Sequence, residues 1–207
     1  MKMKLLLFIV LIVLSKATSF AQTARDYFFP ASGKNLSVYV MKAIPGISKD
    51  EEKKFVYFKD MGDSALISTV YPEGKMRWKE EVVKIEDSKI SLRHVKTDIY
   101  GASTYEPDEM ILLKMPAEGK SSSDNILSGN IKRTFQTEFL TINFDGKEKK
   151  ALRITQSSEM KSSGKKLMSY SDYYVQGIGY YKRTSSDGTQ LELLTDQKYE
   201  PNPPTLK

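Results

Sequence analysis

The sequence predicts an all-β, or mostly β, protein: a strongly curved antiparallel sheet, arranged as a half-barrel or a sandwich, with little helix. Apolar and polar residues alternate with a period of two over many short runs, as half-buried strands require. Turn-forming pairs such as Asp145-Gly146 separate these runs. Only 47–55 and 157–166 could host a helical turn, and neither has a sustained apolar stripe.

The first 21 residues have the pattern of a secretory signal peptide. Lys2 and Lys4 precede the apolar run 5–14, whose ten residues are fewer than the roughly 20 that a membrane-spanning helix needs. Ser19 and Ala21 supply the small side chains that signal peptidase accepts, so we expect cleavage after Ala21. We therefore predict an exported protein, periplasmic or extracellular, with no integral membrane span after cleavage.

The remainder is predicted to be a single β domain over 22–200, followed by a proline-rich, irregular tail at 201–207. Three of the 32 basic residues fall in 1–21, which leaves 29 against 26 acidic residues and a net charge of +3. These charges are interspersed along the chain, which does not favour a nucleic-acid partner. Because the chain has no cysteine, its stability must come from packing rather than from disulfides.

The first half of this domain is predicted to be a meander of strands. In 35–42, Leu36, Val38 and Val40 share one face, as in a half-buried strand. Runs at 53–60 and 63–71 form a hairpin, and 75–86 and 89–100 follow. The buried face changes phase near His94, which predicts either a bulge there or a partly buried histidine ring.

The second half repeats this pattern after a polar segment, 117–129, which we expect to be a mobile loop. A long strand at 131–144 turns at Asp145-Gly146 into a strand at 149–157, and closing strands follow at 167–174, 178–183 and 190–195. Phe139 and Leu140 differ in phase, so a bulge or bend near Phe139 would be needed to bury both sets of apolar residues.

Catalytic chemistry has little support in the sequence. His94 is the only histidine, and acidic neighbours such as Glu80 and Glu81 point to opposite faces of a strand. We predict no catalytic residue, no metal ligand and no cofactor. An exported hydrolase that brings two distant carboxylates together is the remaining enzymatic alternative.

The tyrosine-rich segment 169–183 stands out. Four tyrosines flank Gly177 and Gly179, which would let the backbone bend or approach another segment closely. Its pattern Tyr-Tyr-Val-x-Gly-Ile-Gly-Tyr-Tyr-Lys, and the opening segment 27–34, resemble the two ends of a group of uncharacterised exported bacterial envelope proteins. Those proteins have a curved antiparallel sheet similar to that of the periplasmic lipoprotein-localisation carriers. The resemblance implies the same fold and location here.

The leading functional hypothesis is a non-enzymatic envelope protein that binds an apolar ligand, such as a lipid or acyl chain, or an apolar segment of an envelope partner. We expect Trp78, Tyr174, Ile178 and Tyr180 to line the concave face, with Trp78 turned inward because Arg77 and Lys79 flank it. Two alternatives remain: the aromatic residues fill a core in a structural or interaction module without a small ligand, or the protein is the hydrolase described above.

The signal peptide gives the first testable prediction. N-terminal sequencing of the exported protein is expected to return Gln22 as the first residue, because Ser19 and Ala21 suit the peptidase. Recovery of Met1 in the exported fraction would contradict cleavage and indicate an N-terminal anchor.

Overall fold

A computed structural model of the protein describes residues 22–30, 35–42, 52–71, 77–98, 103–105, 110–116, 121–128, 130–185 and 188–194. The predicted signal peptide, 1–21, and the predicted tail, 201–207, lie outside these residues. One short helix, α1 (Ala24–Phe28), and thirteen strands fall within the described part of the chain. The strands are β1 (Leu36–Met41), β2 (Glu52–Asp60), β3 (Ser64–Tyr71), β4 (Arg77–Ile85), β5 (Lys89–Thr97), β6 (Ser103–Tyr105), β7 (Met110–Lys114), β8 (Ser121–Ser128), β9 (Ile131–Phe144), β10 (Lys147–Met160), β11 (Lys166–Val175), β12 (Gly179–Ser185) and β13 (Gly188–Leu193).

These strands form one antiparallel sheet, which confirms the predicted all-β class. Its order is β6-β5-β4-β3-β2-β1-β13-β12-β11-β10-β9-β8, and β7 pairs with β5 beside this path. Strands β1 to β5 form one meander and strands β8 to β13 form another. The pairing of β13 with β1 joins the two meanders into a continuous sheet. The sheet is not closed.

The position of α1 shows that the sheet is strongly curved. The helix contacts β5 and β7 on one side and β11 and β12 on the other. On a flat sheet β5 and β12 would be six strand spacings apart, roughly 29 Å. A helix of five residues is only about 7.5 Å long. The sheet therefore wraps around α1, and the face that carries α1 is called the inner face below.

A local signal at the N-terminus of α1 was missed in the sequence. The backbone N–H of Thr23 donates a hydrogen bond to Asp26 Oδ2 at 2.7 Å, which is half of a capping box. Phe29 ends the helix in an extended conformation, which suits the residue before Pro30. Because α1 has only five residues, it has no apolar stripe long enough for a periodicity test to detect.

Backbone contacts attach α1 to turns from both halves of the sheet. Ala24 N–H donates to the carbonyl of Asp87, in the β4–β5 turn, at 2.7 Å. Gly177 N–H, in the β11–β12 turn, donates to the carbonyl of Asp26 at 2.8 Å. The Arg25 guanidinium also forms an ion pair with the carboxylate of Asp60 at the end of β2. The N-terminal segment thus connects three hairpins of the curved sheet.

Three details of the predicted meander can be compared with the structure. Asp145 and Gly146 have φ angles of 51° and 73°, which confirms a two-residue turn of type I′. The register between β4 and β5 shifts at Arg93, next to the half-buried His94, which confirms the predicted bulge. The bulge keeps Leu92 and Val95 buried on the same face.

The prediction of one buried face for β1 was too simple. Leu36, Val38 and Val40 do share a face, but Ser37 and Tyr39 on the other face are buried as well. In fact residues 37–40 are all buried. β1 lies in the middle of the sheet between β2 and β13, so side chains of neighbouring strands flank its residues on both faces.

The second half differs from the prediction in two places. The pairing of β9 with β10 runs without a register shift, so the bulge that was one of the two alternatives at Phe139 does not occur. Phe139 instead packs on the inner face while Leu140 lies on the opposite, outer face. The supposed mobile loop contains β8, Ser121–Ser128, which pairs with β9. A strand as long as β9 has backbone groups that need partners, and this requirement overrides the weak β propensity of a serine-rich segment.

Two glycines of the β11–β12 turn allow a matched test of how closely α1 packs. Gly177 and Gly179 both have positive φ angles, of 73° and 89°. A Cβ atom at Gly179 would lie 3.0 Å from the carbonyl oxygen of Phe28, whereas one at Gly177 would meet nothing within 4 Å.

We expect Gly179→Ala to destabilise the protein more than Gly177→Ala in denaturant unfolding. In both variants the free energy of unfolding should fall by roughly 1 kcal/mol or more, because alanine disfavours a positive φ angle. Gly179→Ala should lose about a further 1–3 kcal/mol from the clash with the N-terminal segment. Equal losses would contradict the close packing of that segment.

Candidate ligand-binding face

The structure brings Tyr174 and Tyr180, two of the four predicted site residues, together on the inner face. They lie directly opposite each other on β11 and β12, and their rings meet edge-on at 5.2 Å. Ile178 lies in the turn before β12, where its N–H donates to the carbonyl of Val175. The segment 169–183 therefore places Tyr170, Tyr174 and Tyr180 on the inner face, whereas Tyr173 and Tyr181 lie on the outer face.

Trp78 does not belong to this group. It pairs with Val70, which pairs with Phe55, and these positions lie on the outer face because Phe58 and Ile67 point inward. The Lys96 ammonium sits over the Trp78 ring at 5.2 Å. The prediction that Trp78 lines the concave face was therefore wrong.

The physical reason for this error is an ion pair. Lys79 was expected on the outside, but it lies on the inner face with Glu81, and their side chains form an ion pair at 2.7 Å. Because each charge satisfies the other, two charged residues of β4 can face inward while Trp78 faces outward. A charged neighbour was thus an unreliable guide to strand orientation here.

Part of the inner face is filled by the protein's own N-terminal segment. Phe28 stacks on Tyr174 with ring centroids 5.9 Å apart, and Phe29 meets Phe58 edge-on at 6.0 Å. Tyr27 is fully buried and packs on Phe139 at 5.8 Å. At this end of the sheet, the aromatic residues form a core rather than an open site.

Beyond this core the inner face becomes polar around Asp172, whose exposed fraction is only 2%. Arg183, directly opposite on β12, donates from Nε to Oδ1 at 2.8 Å and from Nη2 to Oδ2 at 2.9 Å. The Tyr180 hydroxyl donates to Oδ1 at 2.9 Å. The Arg183 guanidinium lies 3.9 Å from the centre of the Tyr170 ring. We call Tyr170, Asp172, Tyr180 and Arg183 the Asp172 cluster.

The groups around this cluster remain in their usual protonation states. Burial, followed by the negative charge of Asp172, raises the pKa of the Tyr174 and Tyr180 phenols well above their usual value. Burial alone would lower the pKa of Arg183, but the hydrogen bonds and charge of Asp172 raise it overall. Both phenols therefore remain protonated, and Arg183 remains a cation.

Lys54 adds a second cation to this part of the inner face. It lies on β2 opposite Tyr39, and its ammonium sits over the Tyr39 ring at 5.4 Å. Burial, reinforced by the positive charge of Arg183, lowers the pKa of Lys54 to about 8. No described carboxylate forms an ion pair with Lys54, whereas Lys79 and Arg183 each have one.

Apolar side chains continue along the inner face beyond the part that α1 covers. Phe135 lies across from Gln156, which lies across from Tyr170. Met41 and Leu193 lie on the adjoining strands β1 and β13. Phe135, Met41 and Leu193 pack against the core but remain partly exposed. The polar cluster therefore has apolar neighbours along the same face.

The arrangement does not favour a hydrolase. Asp172 and Glu81 both lie on the inner face, but Asp172 is ion-paired with Arg183 and Glu81 with Lys79. His94 lies opposite Val82 on the outer face. Among the residues described, no group of three histidine, aspartate or glutamate side chains could hold a metal ion.

In the described part of the chain, the longest helix has five residues, far short of the roughly 20 needed to span a membrane.

No protein-family model, curated protein or solved structure matches the chain.

The sequence analysis missed the residues that form the polar end of the face. Asp172 and Arg183 stand at nearly equal distances on either side of the Gly177 turn, so a hairpin centred there places them opposite each other. That signal was present in the segment 169–183. Lys54 gave no such signal, because its neighbour Lys53 is chemically the same and points to the outer face.

A double variant tests the pairing of Asp172 with Arg183. We expect Arg183→Met alone to destabilise the protein by about 3 kcal/mol, because it leaves a buried carboxylate without its cation. Asp172→Asn combined with Arg183→Met should recover most of this loss, since asparagine carries no charge and still accepts the hydrogen bond of Tyr180. Thermal or denaturant unfolding measures both, and a double variant as unstable as the single one would contradict the pairing.

Proposed function

We propose that the protein is an exported, non-enzymatic envelope protein that binds an apolar ligand, or an apolar segment of a partner, on the inner face of its curved sheet. The observation that carries this proposal is the extent of that face. The N-terminal segment covers only one end of it, and partly exposed apolar residues flank the Asp172 cluster on the strands to either side, namely Met41, Phe135 and Leu193.

The N-terminal segment itself supports the chemistry of such binding. Phe28 and Phe29 lie on the inner face as side chains of a short segment, held by ring contacts and a few backbone hydrogen bonds. An apolar segment or chain of similar width would make the same contacts further along the face. The resemblance of the tyrosine-rich segment to curved-sheet envelope proteins supports the proposed location in the cell envelope.

Two phenylalanines on β9 give a matched test. Phe135 is on the inner face and Phe144 on the outer face, and both are partly buried on the same strand. We expect dodecanoate to bind saturably in isothermal titration calorimetry, and Phe135→Ala to weaken binding by roughly tenfold because apolar contact area is lost. Phe144→Ala should leave the affinity unchanged.

The outer-face tryptophan gives a further control, since Trp78→Ala should also leave the affinity unchanged. Absence of saturable binding would overturn the proposal and favour a structural or interaction module instead. An equal loss of affinity in the Phe135→Ala and Phe144→Ala variants would show that any binding does not use the inner face.

A further inference from the structure

Arg183 retains hydrogen-bonding capacity after pairing with Asp172. A guanidinium has five N–H donors, and the contacts with Asp172 use one on Nε and one on Nη2. The remaining donors have no partner among the described residues, and the side chain is 36% exposed. The group is also fixed in place, since Asp172 holds one edge and the Tyr170 ring covers one side of its plane.

The charges on this part of the inner face favour an anion. The described cations there are Lys54, Lys79, Arg133 and Arg183, and the described carboxylates are Glu81, Asp172 and the exposed Glu52. Glu81 and Asp172 are used in ion pairs with Lys79 and Arg183, and Glu52 forms no ion pair with Lys54, which lies beside the ring of Tyr39. Holding a partly buried ammonium without a carboxylate partner costs free energy, which an anionic ligand would recover.

We propose that the ligand is an anionic amphiphile, whose carboxylate or phosphate group is bound by Arg183 and Lys54 while its apolar chain lies along Phe135. This inference rests on the proposed function and specifies the ligand class. Arg183 offers paired N–H donors in the geometry that both kinds of anion accept. Asp172 is a positioning residue, because it orients the guanidinium without facing the ligand itself.

The protonation of Lys54 gives the site a characteristic pH dependence. The pKa of Lys54 falls from its usual 10.5 to about 8, mainly because burial disfavours the charged form. The ammonium is therefore charged below about pH 8 and loses its charge as the pH rises through that value. Anion binding should be strongest below this pH and weaken above it. The charged groups that act on Lys54 from neighbouring strands are Arg183, Glu81, Lys79 and Asp172.

The experiment compares three probes with the same alkyl chain: dodecanoate, dodecyl phosphate and the neutral 1-dodecanol. Binding to the full protein is measured by displacement of a fluorescent fatty acid. We expect at least one anionic probe to bind about tenfold more tightly than the alcohol, as charge-assisted hydrogen bonds imply. The stronger of the two anions identifies a carboxylate or a phosphate as the preferred head group.

Site variants identify the residues that cause the preference for an anionic head group. Lys54→Met and the double variant Asp172→Asn/Arg183→Met should each reduce the ratio of anion to alcohol affinity towards one. Lys53→Met is the matched control for Lys54→Met, because this neighbouring cation on β2 faces outward. The pH dependence above about pH 8 should be lost in Lys54→Met and retained in Lys53→Met.

The outcomes separate this inference from the proposed function. Equal binding of the anions and the alcohol would overturn the anion site and leave the apolar binding function intact. An anion preference that survives both site variants would place the head group elsewhere and also overturn the inference. If none of the three probes binds, the proposed function fails, and this inference fails with it.

Discussion

The architecture depends on how the inner face of the curved sheet is covered. A sheet with two faces and open edges must bury its apolar face against something, and in this protein the occupant is the segment that precedes the first strand. Tyr27, Phe28 and Phe29 supply the rings, and turns from both halves of the sheet hydrogen-bond to the segment's backbone. Gly179 lets the β11–β12 hairpin approach this backbone directly. The short N-terminal segment thus determines how the two meanders curve towards each other.

The same segment divides the inner face into two regions with different chemistry. Near α1, aromatic rings pack together as part of the hydrophobic core. Beyond Tyr174, the face carries a buried carboxylate with its cation, phenols that remain protonated and a lysine with a lowered pKa. A buried ion pair adds little to stability on average, because desolvation offsets the attraction. Its value at Arg183 is orientation, since a guanidinium fixed on two sides presents its remaining donors in a defined direction.

Much of the fold could be predicted from the sequence because its signals are local. The alternation of apolar residues and turn pairs such as Asp145-Gly146 depend on neighbouring residues alone. The bulge at Arg93 was also predictable, since Leu92 and Val95 change phase within four residues. The errors arose where distant strands decide the outcome. Phe139 and Leu140 are both accommodated without a bulge because the two faces of β9 have different partners, and β8 is ordered as a strand by its pairing with β9.

The candidate site was only half predictable for the same reason. Tyr174 and Tyr180 could be paired from the turn between them, whereas Lys54 faces inward over the ring of Tyr39 on another strand, β1. Lys79 faces inward with its ion-pair partner Glu81, two residues further along β4. Trp78 was placed on the wrong face because an inward ion pair of Lys79 with Glu81 reverses the usual orientation of charged residues.

A crystal structure of the protein bound to dodecanoate would test the central claim most directly, namely that one face serves as both core and binding site. The account predicts that α1 keeps its place, that the alkyl chain lies against Phe135, and that the carboxylate accepts hydrogen bonds from Arg183. A ligand on the outer face beside Trp78, or one that displaces the N-terminal segment from Tyr174, would contradict it.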